Sequence, residues 1–241
     1  MKIALIGYGK MGKAIEEIAL ERGHTISAKI NSQFSIQQAD FSETDVAIEF
    51  SRPELVLQHI DFCMENKLPV VVGTTAWNEA LPAVTQKVMD QDGALLHASN
   101  YSSGVTIFFV INQLLARLMN NYPTYKASID EIHHLQKLDA PSGTALTIAH
   151  DLMNENSNFS SWILGEEETP KTNHSTELPI ISYRKPDVPG THVVTYTSEI
   201  DTIQISHEAH SRKGFALGAV LAAEYLNGKQ GVFTMSDVLK N

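Results

Sequence analysis

The sequence predicts an α/β protein in two parts: a Rossmann-like, doubly wound parallel sheet, and an α+β domain built on a mixed sheet. Three observations carry that expectation. Over residues 1–104, short apolar runs closed by glycine or polar turns alternate with segments of helical periodicity. From residue 125 onward, longer stretches with two-residue alternation and β-branched enrichment take over. Near the C-terminus, FALGAVLAAEYL at 215–226 returns to a nearly all-apolar helical pattern, too hydrophobic to stand in solvent and expected to pack back on the first part.

The elements follow in order. An apolar run at 2–6 stopped by Gly7 has the pattern of a buried parallel strand. Ala14, Ile15, Ile18 and Ala19 recur at helical spacing, and Gly23 ends that helix before a strand at 25–30. The alternation continues with a strand at 46–50, a helix at 53–66, a strand at 69–72, a helix at 79–90 and a strand at 94–98. The first region ends near Gly104. The second opens with a helix at 105–119 and a strand at 125–134, followed by a turn at 139–143 and a helix at 144–154. Strands are expected at 180–184, 192–197 and 200–207, and the polar, Thr-rich stretch 166–177 as a loop. The domain division expected from this is 1–104 plus 213–241 for the first domain and 105–212 for the second.

Composition narrows the function classes. With 43% hydrophobic and 19% charged residues, the 241-residue chain reads as folded globular protein. A formal net charge of -10 repels phosphate backbones and anionic lipid surfaces, which argues against nucleic acid or a membrane as partner. An anionic ligand must therefore be held by locally placed donors. The single cysteine, Cys63, has no partner for an intrachain disulfide and reads as a buried thiol in a reducing cytoplasm.

Gly7, Gly9 and Gly12 form a GxGxxG loop with Tyr8, Lys10 and Met11 between an expected strand and an expected helix. In that context the motif points to a dinucleotide site, in which the first glycine makes the turn, the second admits the pyrophosphate, and the third lets helix and strand approach; a turn whose glycines serve only packing is the plain alternative. The end of the second strand lacks the acid that meets the ribose hydroxyls of NADH. It offers Lys29 with Asn31 and Ser32, which tilts the reading toward NADPH without excluding NADH. A solvated surface lysine is an equal alternative for Lys29. Gly73, Thr74 and Thr75, and Ala98, Ser99, Asn100 and Tyr101, fall at strand ends where such sheets bind ligands, although each could be ordinary turn chemistry.

Residues 131–144, EIHHLQKLDAPSGT, concentrate the most chemistry. A histidine transfers protons near neutrality, and a neighbouring lysine can donate one or stabilise developing negative charge. In a strand, His133 and His134 would point to opposite faces and have different tasks. Lys137 follows, and Gly143 and Thr144 open a helix whose N–H groups suit a carboxylate. Two ordinary histidines before a loop is the plain alternative. A zinc site is weaker, because the pair lacks spaced third and fourth ligands, and no metal is expected.

With these motifs assembled, the chain resembles the 4-hydroxy-tetrahydrodipicolinate reductase family of diaminopimelate and lysine biosynthesis. The resemblance rests on GYGKMG at 7–12, EFSRPE at 49–54, GTT at 73–75, ASNY at 98–101, the 131–144 segment, and HSRKGFA at 210–216. It implies NADPH or NADH as cofactor and hydride transfer to the ring C4 of a small dicarboxylate cyclic imine. It further implies His133 as proton donor and acceptor, Lys137 as second proton donor, and His134, Gly143, Thr144 and Arg212 as substrate contacts. A homotetramer formed through the C-terminal sheet is expected on the same ground, while closure between the two lobes is expected to bring the nicotinamide to His133 and exclude water, and the cytoplasmic location follows from the cysteine usage above. Departures from the family pattern, namely a shorter glycine loop, no acid or arginine after the second strand, and ASNY in place of APNF, make cofactor preference the property least safely carried over. A nucleotide sensor without chemistry and a different amino-acid dehydrogenase are the competing readings.

Overall fold

The structure, a computed structural model, describes residues 1–165, 176–211 and 213–240. In chain order its elements are β1 (Lys2–Ile6), α1 (Lys10–Glu21), β2 (Thr25–Ile30), β3 (Val46–Glu49), α2 (Pro53–Glu65), β4 (Val70–Val72), α3 (Leu81–Asp90) and β5 (Ala94–His97). Then come α4 (Ser103–Met119), β6 (Lys126–His133), α5 (Gly143–Glu155), β7 (Ser161–Gly165), β8 (Glu177–Arg184), β9 (Gly190–Thr197) and β10 (Thr202–Ala209). The chain finishes with α6 (Lys213–Leu226), β11 (Gly231–Phe233) and α7 (Met235–Leu239). Two compact units result, one of Met1–Ser103 with Arg212–Asn241 and one of Gly104–Ser211.

The first unit carries a six-stranded sheet in the order β11-β5-β4-β3-β1-β2, and every pairing in it is parallel. Parallel strands need crossovers, and the helices supply them while covering both faces. On one face Ile15, Ile18 and Ala19 of α1 join Ala216, Ala219, Val220, Ala223 and Leu226 of α6 over Ile3, Leu5 and Ile48. On the other, Val56, Ile60 and Cys63 of α2 and Val84 and Val88 of α3 pack on Ala4, Ile6, Ala47 and Val70. The apolar α6 thus lies on the first sheet, as its pattern predicts. Cys63 is buried, and burial, aided by the negative charge of Glu49, pushes its thiol pKa up.

The second unit holds a mixed five-stranded sheet in the order β10-β9-β6-β8-β7. β6 pairs antiparallel with β9 and parallel with β8. One face packs on α4 and α5 through Phe108, Ala116, Ala145, Ile148, Ala149 and Leu152 against Ala127, Ile129, Ile180, Val194 and Tyr196.

Several details depart from the sequence expectations. β6 stops at His133, so His134 lies beyond the strand rather than on its opposite face. Backbone pairing ends there because the chain turns, with Lys137 N–H donating to the His134 carbonyl at 3.1 Å. β7, β11 and α7 are short elements that weak periodicity did not reveal. Glu177, expected in a loop, begins β8 after Thr176; residues 166–175 of the expected loop lie outside the described residues, as does Arg212.

Candidate active site

Two sets of functional side chains form, one in each unit. In the first, β1 stands between β2 and β3, so the chain leaves its carboxyl end in opposite directions and opens a crevice there. A cavity of about 530 Å³ fills it, lined by Gly7, Tyr8 and Gly9 after β1, Asn31 and Ser32 after β2, and Phe50, Ser51 and Arg52 after β3.

The glycine loop is shaped by close approach. Gly7 has φ +95°, and a Cβ there would lie 2.1 Å from the Phe50 carbonyl oxygen; a Cβ on Gly12 would lie 2.8 Å from the Gly7 oxygen. Both positions therefore exclude a side chain. A Cβ built on Gly9 would meet nothing within 4 Å, so that side of its backbone is open to a ligand. Gly9 is also the N-cap of α1 and supplies no side-chain cap, which leaves the first N–H groups of Lys10, Met11 and Gly12 to a phosphate. The donor set, the open backbone and the cavity fit a dinucleotide.

The other predicted cofactor residues occupy the same carboxyl edge, with differing roles. Gly73 follows β4, and a Cβ there would lie 2.1 Å from Cζ of the Phe50 ring. Thr74 is buried and its Oγ1 accepts from Ser51 N–H at 2.8 Å, while Thr75 is exposed. Asn100 caps its own turn by accepting from Ser102 N–H at 2.9 Å, beside the partly covered Ala98 and the exposed Ser99. The Tyr101 side chain turns inward, its hydroxyl donating to the Val72 carbonyl at 2.7 Å, so only its backbone remains at the edge. Lys29 does not line the cavity: its ammonium meets Glu16 at 2.6 Å and lies 4.8 Å from the Tyr8 ring. Arg52, which the sequence reading passed over, is the cation on the cavity wall. The same reading missed a buried cluster in which Glu49 holds Ser51 and lies 3.1 Å from His59 Nδ1, with Ser51 and His59 both facing the cavity.

In the second unit the chemistry sits at one end of the core face of the mixed sheet. Alternation places Ala127, Ile129, Glu131 and His133 on one face of β6; the first two enter the apolar core and the last two continue beyond it. Register brings Glu131 opposite His192 of β9 and His133 opposite Arg184 of β8. The N-terminus of α5 ends at the same place. Ser142 is its N-cap, accepting from Ala145 N–H at 3.2 Å, and its own N–H donates to Glu131 Oε1 at 3.2 Å. Gly143, with nothing within 4 Å of a built Cβ, and Thr144 form the first turn.

Glu131 is fully buried. Burial by itself would raise its pKa, but His133, Ser182 and Ser142 outweigh it and hold the carboxyl well below the usual carboxylate range. Its Oε2 lies 2.7 Å from His133 Nδ1, a close contact that is not aligned as a hydrogen bond. Its Oε1 meets the Arg184 guanidinium at 3.2 and 3.3 Å. The opposite nitrogen of His133, Nε2, would lie 3.1 Å from a Cβ on Gly190, so the glycine keeps that side open. His192 stacks edge-on to His133 with ring centroids 5.1 Å apart. Burial, reinforced by His133, pushes its pKa down to about 3, so His192 is neutral near pH 7. Glu131, His133 and His192 present donor atoms within 4.8 Å of one another. The other carboxylate oxygen is offset by the Arg184 guanidinium.

Lys137 is partly covered and its ammonium pairs with both Asp139 oxygens at 2.8 Å. His134 is half-buried one residue past the strand. His133, His134, Lys137, Gly143 and Thr144 thus share the β6–α5 connection and its two ends. The sequence reading gave no role to Glu131, Arg184, Gly190 or His192. Two pairs had a readable signal, since Glu131-x-His133 and Gly190-x-His192 are each spaced to share a strand face.

A doubly wound sheet with an open glycine loop at its switch point, joined to a unit bearing a buried acid–histidine pair beside a helix N-terminus, defines a dinucleotide-dependent reductase. The comparisons give the family. Residues 1–101 match "Dihydrodipicolinate reductase, N-terminus" and residues 104–239 match "Dihydrodipicolinate reductase, C-terminus". The chain belongs to this family. It is 47% identical over 241 residues to the 4-hydroxy-tetrahydrodipicolinate reductase of Christiangramia forsetii, covering 100% of this chain and 98% of the relative. It is 34% identical over 229 residues to the enzyme of that name from Neisseria meningitidis serogroup C, covering 93% and 83%. A dipicolinate-bound dihydrodipicolinate reductase from Paenisporosarcina sp. TG-14 shares the fold at TM-score 0.73 and 22% identity, over 97% of each chain.

Proposed function

We propose that this chain reduces the dihydrodipicolinate-type cyclic imine to tetrahydrodipicolinate, with NADH or NADPH as reductant, in diaminopimelate and lysine biosynthesis. The observation that carries this reading is His133, whose Nδ1 is taken up by buried Glu131 while Nε2 stays open beside Gly190. The nicotinamide nucleotide, when bound, supplies the hydride that adds to ring C4. The chain's own residues do the rest. The first-turn N–H groups of Gly143 and Thr144 hold a ring carboxylate, assisted by His134 and, on the family pattern, by Arg212. His133 or Lys137 delivers the proton that completes the reduced ring. The division of labour follows the two units: residues 1–104 and 213–241 bind the nucleotide, and 105–212 bind the substrate.

A homotetramer built through the mixed sheet is part of the same reading. Two features support it: β10 is an edge strand with Thr202–Ala209 largely uncovered, and α4 shows Ile107, Val110, Ile111, Leu114 and Leu118 to solvent. Among the described residues no helix is long and apolar enough to cross a membrane; the reaction belongs in the cytoplasm, where reduced nucleotide is available.

The test is a coupled assay with aspartate semialdehyde, pyruvate and a dipicolinate-forming synthase, following loss of reduced-nucleotide absorbance. Nucleotide oxidation that requires all components is expected. Oxidation with no dependence on the synthase, or none at all, overturns the reading.

A further inference from the structure

We infer that Glu131 and Arg184 form a positioning unit that sets the tautomer of His133 and fixes the loop carrying Lys137, so that both proton-transferring groups are aimed by one buried ion pair. The inference rests on the proposed reductase activity and adds two residues to it.

Three strands and a helix converge on Glu131. Its carboxylate lies on the same face of β6 as His133, two residues away, and one oxygen reaches Nδ1 of that ring at 2.7 Å. A carboxylate carries only lone pairs, and a ring lone pair held 2.7 Å from them would be repelled, so the proton belongs on Nδ1 even without an aligned hydrogen bond. The neutral imidazole then has its lone pair on Nε2, which opens beside Gly190. The other oxygen binds Arg184, and that guanidinium does not stop there. Its Nη2 donates to the Asp139 carbonyl at 2.6 Å and its Nε to the Lys137 carbonyl at 3.3 Å. One planar group thus ties the histidine-bearing strand to the backbone on both sides of Leu138. The Lys185 N–H, next along the chain, donates to the His133 carbonyl at 2.8 Å, clamping the strand end from the same side.

The electrostatics favour a pair kept for geometry. Glu131 is fully buried, and Arg184 is one-fifth exposed. Burying such a pair gains little net stability over an apolar one, whereas deleting one partner strands a buried charge. Lysine in place of Arg184 offers a point charge that cannot span carboxylate and two carbonyls at once.

The test uses the full-length protein, Glu131→Gln and Arg184→Lys, with kcat, KM for both substrates and the melting temperature measured together. A long-range ¹⁵N NMR spectrum of the histidine-labelled wild type, assigned with His133→Gln, reports the tautomer directly. Neutral His133 is expected to carry its proton on Nδ1. Glu131→Gln is expected to lower kcat by about 10²-fold, the scale of a displacement near 1 Å at a reacting group. Arg184→Lys should lower kcat by roughly 10-fold, and nucleotide KM should hold in both variants. An Nε2–H tautomer in the wild type, or a Glu131→Gln protein with wild-type kcat, overturns the positioning role while the reductase reading stands. A wild type that does not reduce the imine overturns both. Should Glu131→Gln fail to fold, Arg184→Lys and the wild-type spectrum decide the matter.

Discussion

The nucleotide edge of the first unit and the proton-transfer cluster of the second meet opposite demands. The edge offers backbone to a charged ligand: glycines, helix N–H groups without a side-chain cap and an open cavity, with Arg52 on its wall. The cluster does the reverse, concentrating Glu131, His133, His192 and Arg184 where water is excluded and letting them compensate one another. The edge should therefore tolerate changes of side chain and fail when a Cβ is added. The cluster should tolerate small changes of volume and fail when a charge or a nitrogen is removed.

The largest effect expected from that contrast is at His133. His133→Ala and Lys137→Ala should each lower turnover by roughly 10²-fold or more, the usual contribution of a general acid, while nucleotide affinity by fluorescence titration stays nearly unchanged. Unchanged turnover in both would break the comparison at its centre.

Next come two glycines in one loop with different outcomes. Gly7→Ala forces a Cβ 2.1 Å from the Phe50 oxygen at φ +95°, and should cost about 1–3 kcal/mol or more of folding stability in urea melts. Gly9→Ala has open space in the protein, so stability should hold within about 0.5 kcal/mol while nucleotide binding weakens about 10-fold, equivalent to ~1.4 kcal/mol. Equal stability losses would show that the two glycines do the same job.

The third prediction concerns acid. His192 has a folded pKa of about 3 against an ordinary 6.5. Between those values the unfolded chain binds the proton and the folded one does not. Stability must therefore rise with pH across the window and fall as pH drops through it. One such proton gives a slope approaching ~1.4 kcal/mol per pH unit. Glu131, depressed rather than raised, adds stability that is lost at still lower pH, as the solution falls through the ordinary carboxylate range toward its folded pKa. Urea melts from pH 7 to pH 4 should show a shallower slope for His192→Asn than for wild type; identical slopes would contradict the assignment.

The smallest effect is reserved for Lys29. Its ammonium is tied to Glu16, so Lys29→Ala should change the NADPH to NADH affinity ratio by less than about 10-fold, the scale of an exposed ion pair. Arg52→Ala should weaken nucleotide binding more. Parallel titrations of both nucleotides separate the two residues.

The legible parts of the molecule are those whose causes are local in sequence. The glycine loop, the apolar strands β1, β3 and β4 and the buried α6 each declare themselves within a dozen residues, because a turn, a strand period or a helix period is a short-range property. That His133, Lys137, Gly143 and Thr144 share one strand–helix connection was readable for the same reason, because they lie in one continuous segment. Arg184 and His192 were not, because only the register of β6 against β8 and β9 brings them to Glu131. Register depends on the whole sheet, and nothing in the local pattern states it. Lys29 illustrates the converse limit: its position after β2 suggests a 2′-phosphate contact, yet the pairing of its ammonium with Glu16 in α1 is not readable from that position.

The most direct measurement is a crystal structure with pyridine-2,6-dicarboxylate bound to the second unit. The account predicts His133 Nε2 within about 4 Å of the ring and one carboxylate on the Gly143 and Thr144 N–H groups, the reach that proton transfer requires. A ring held more than roughly 8 Å from His133 Nε2, beyond even a bridging water, would contradict it.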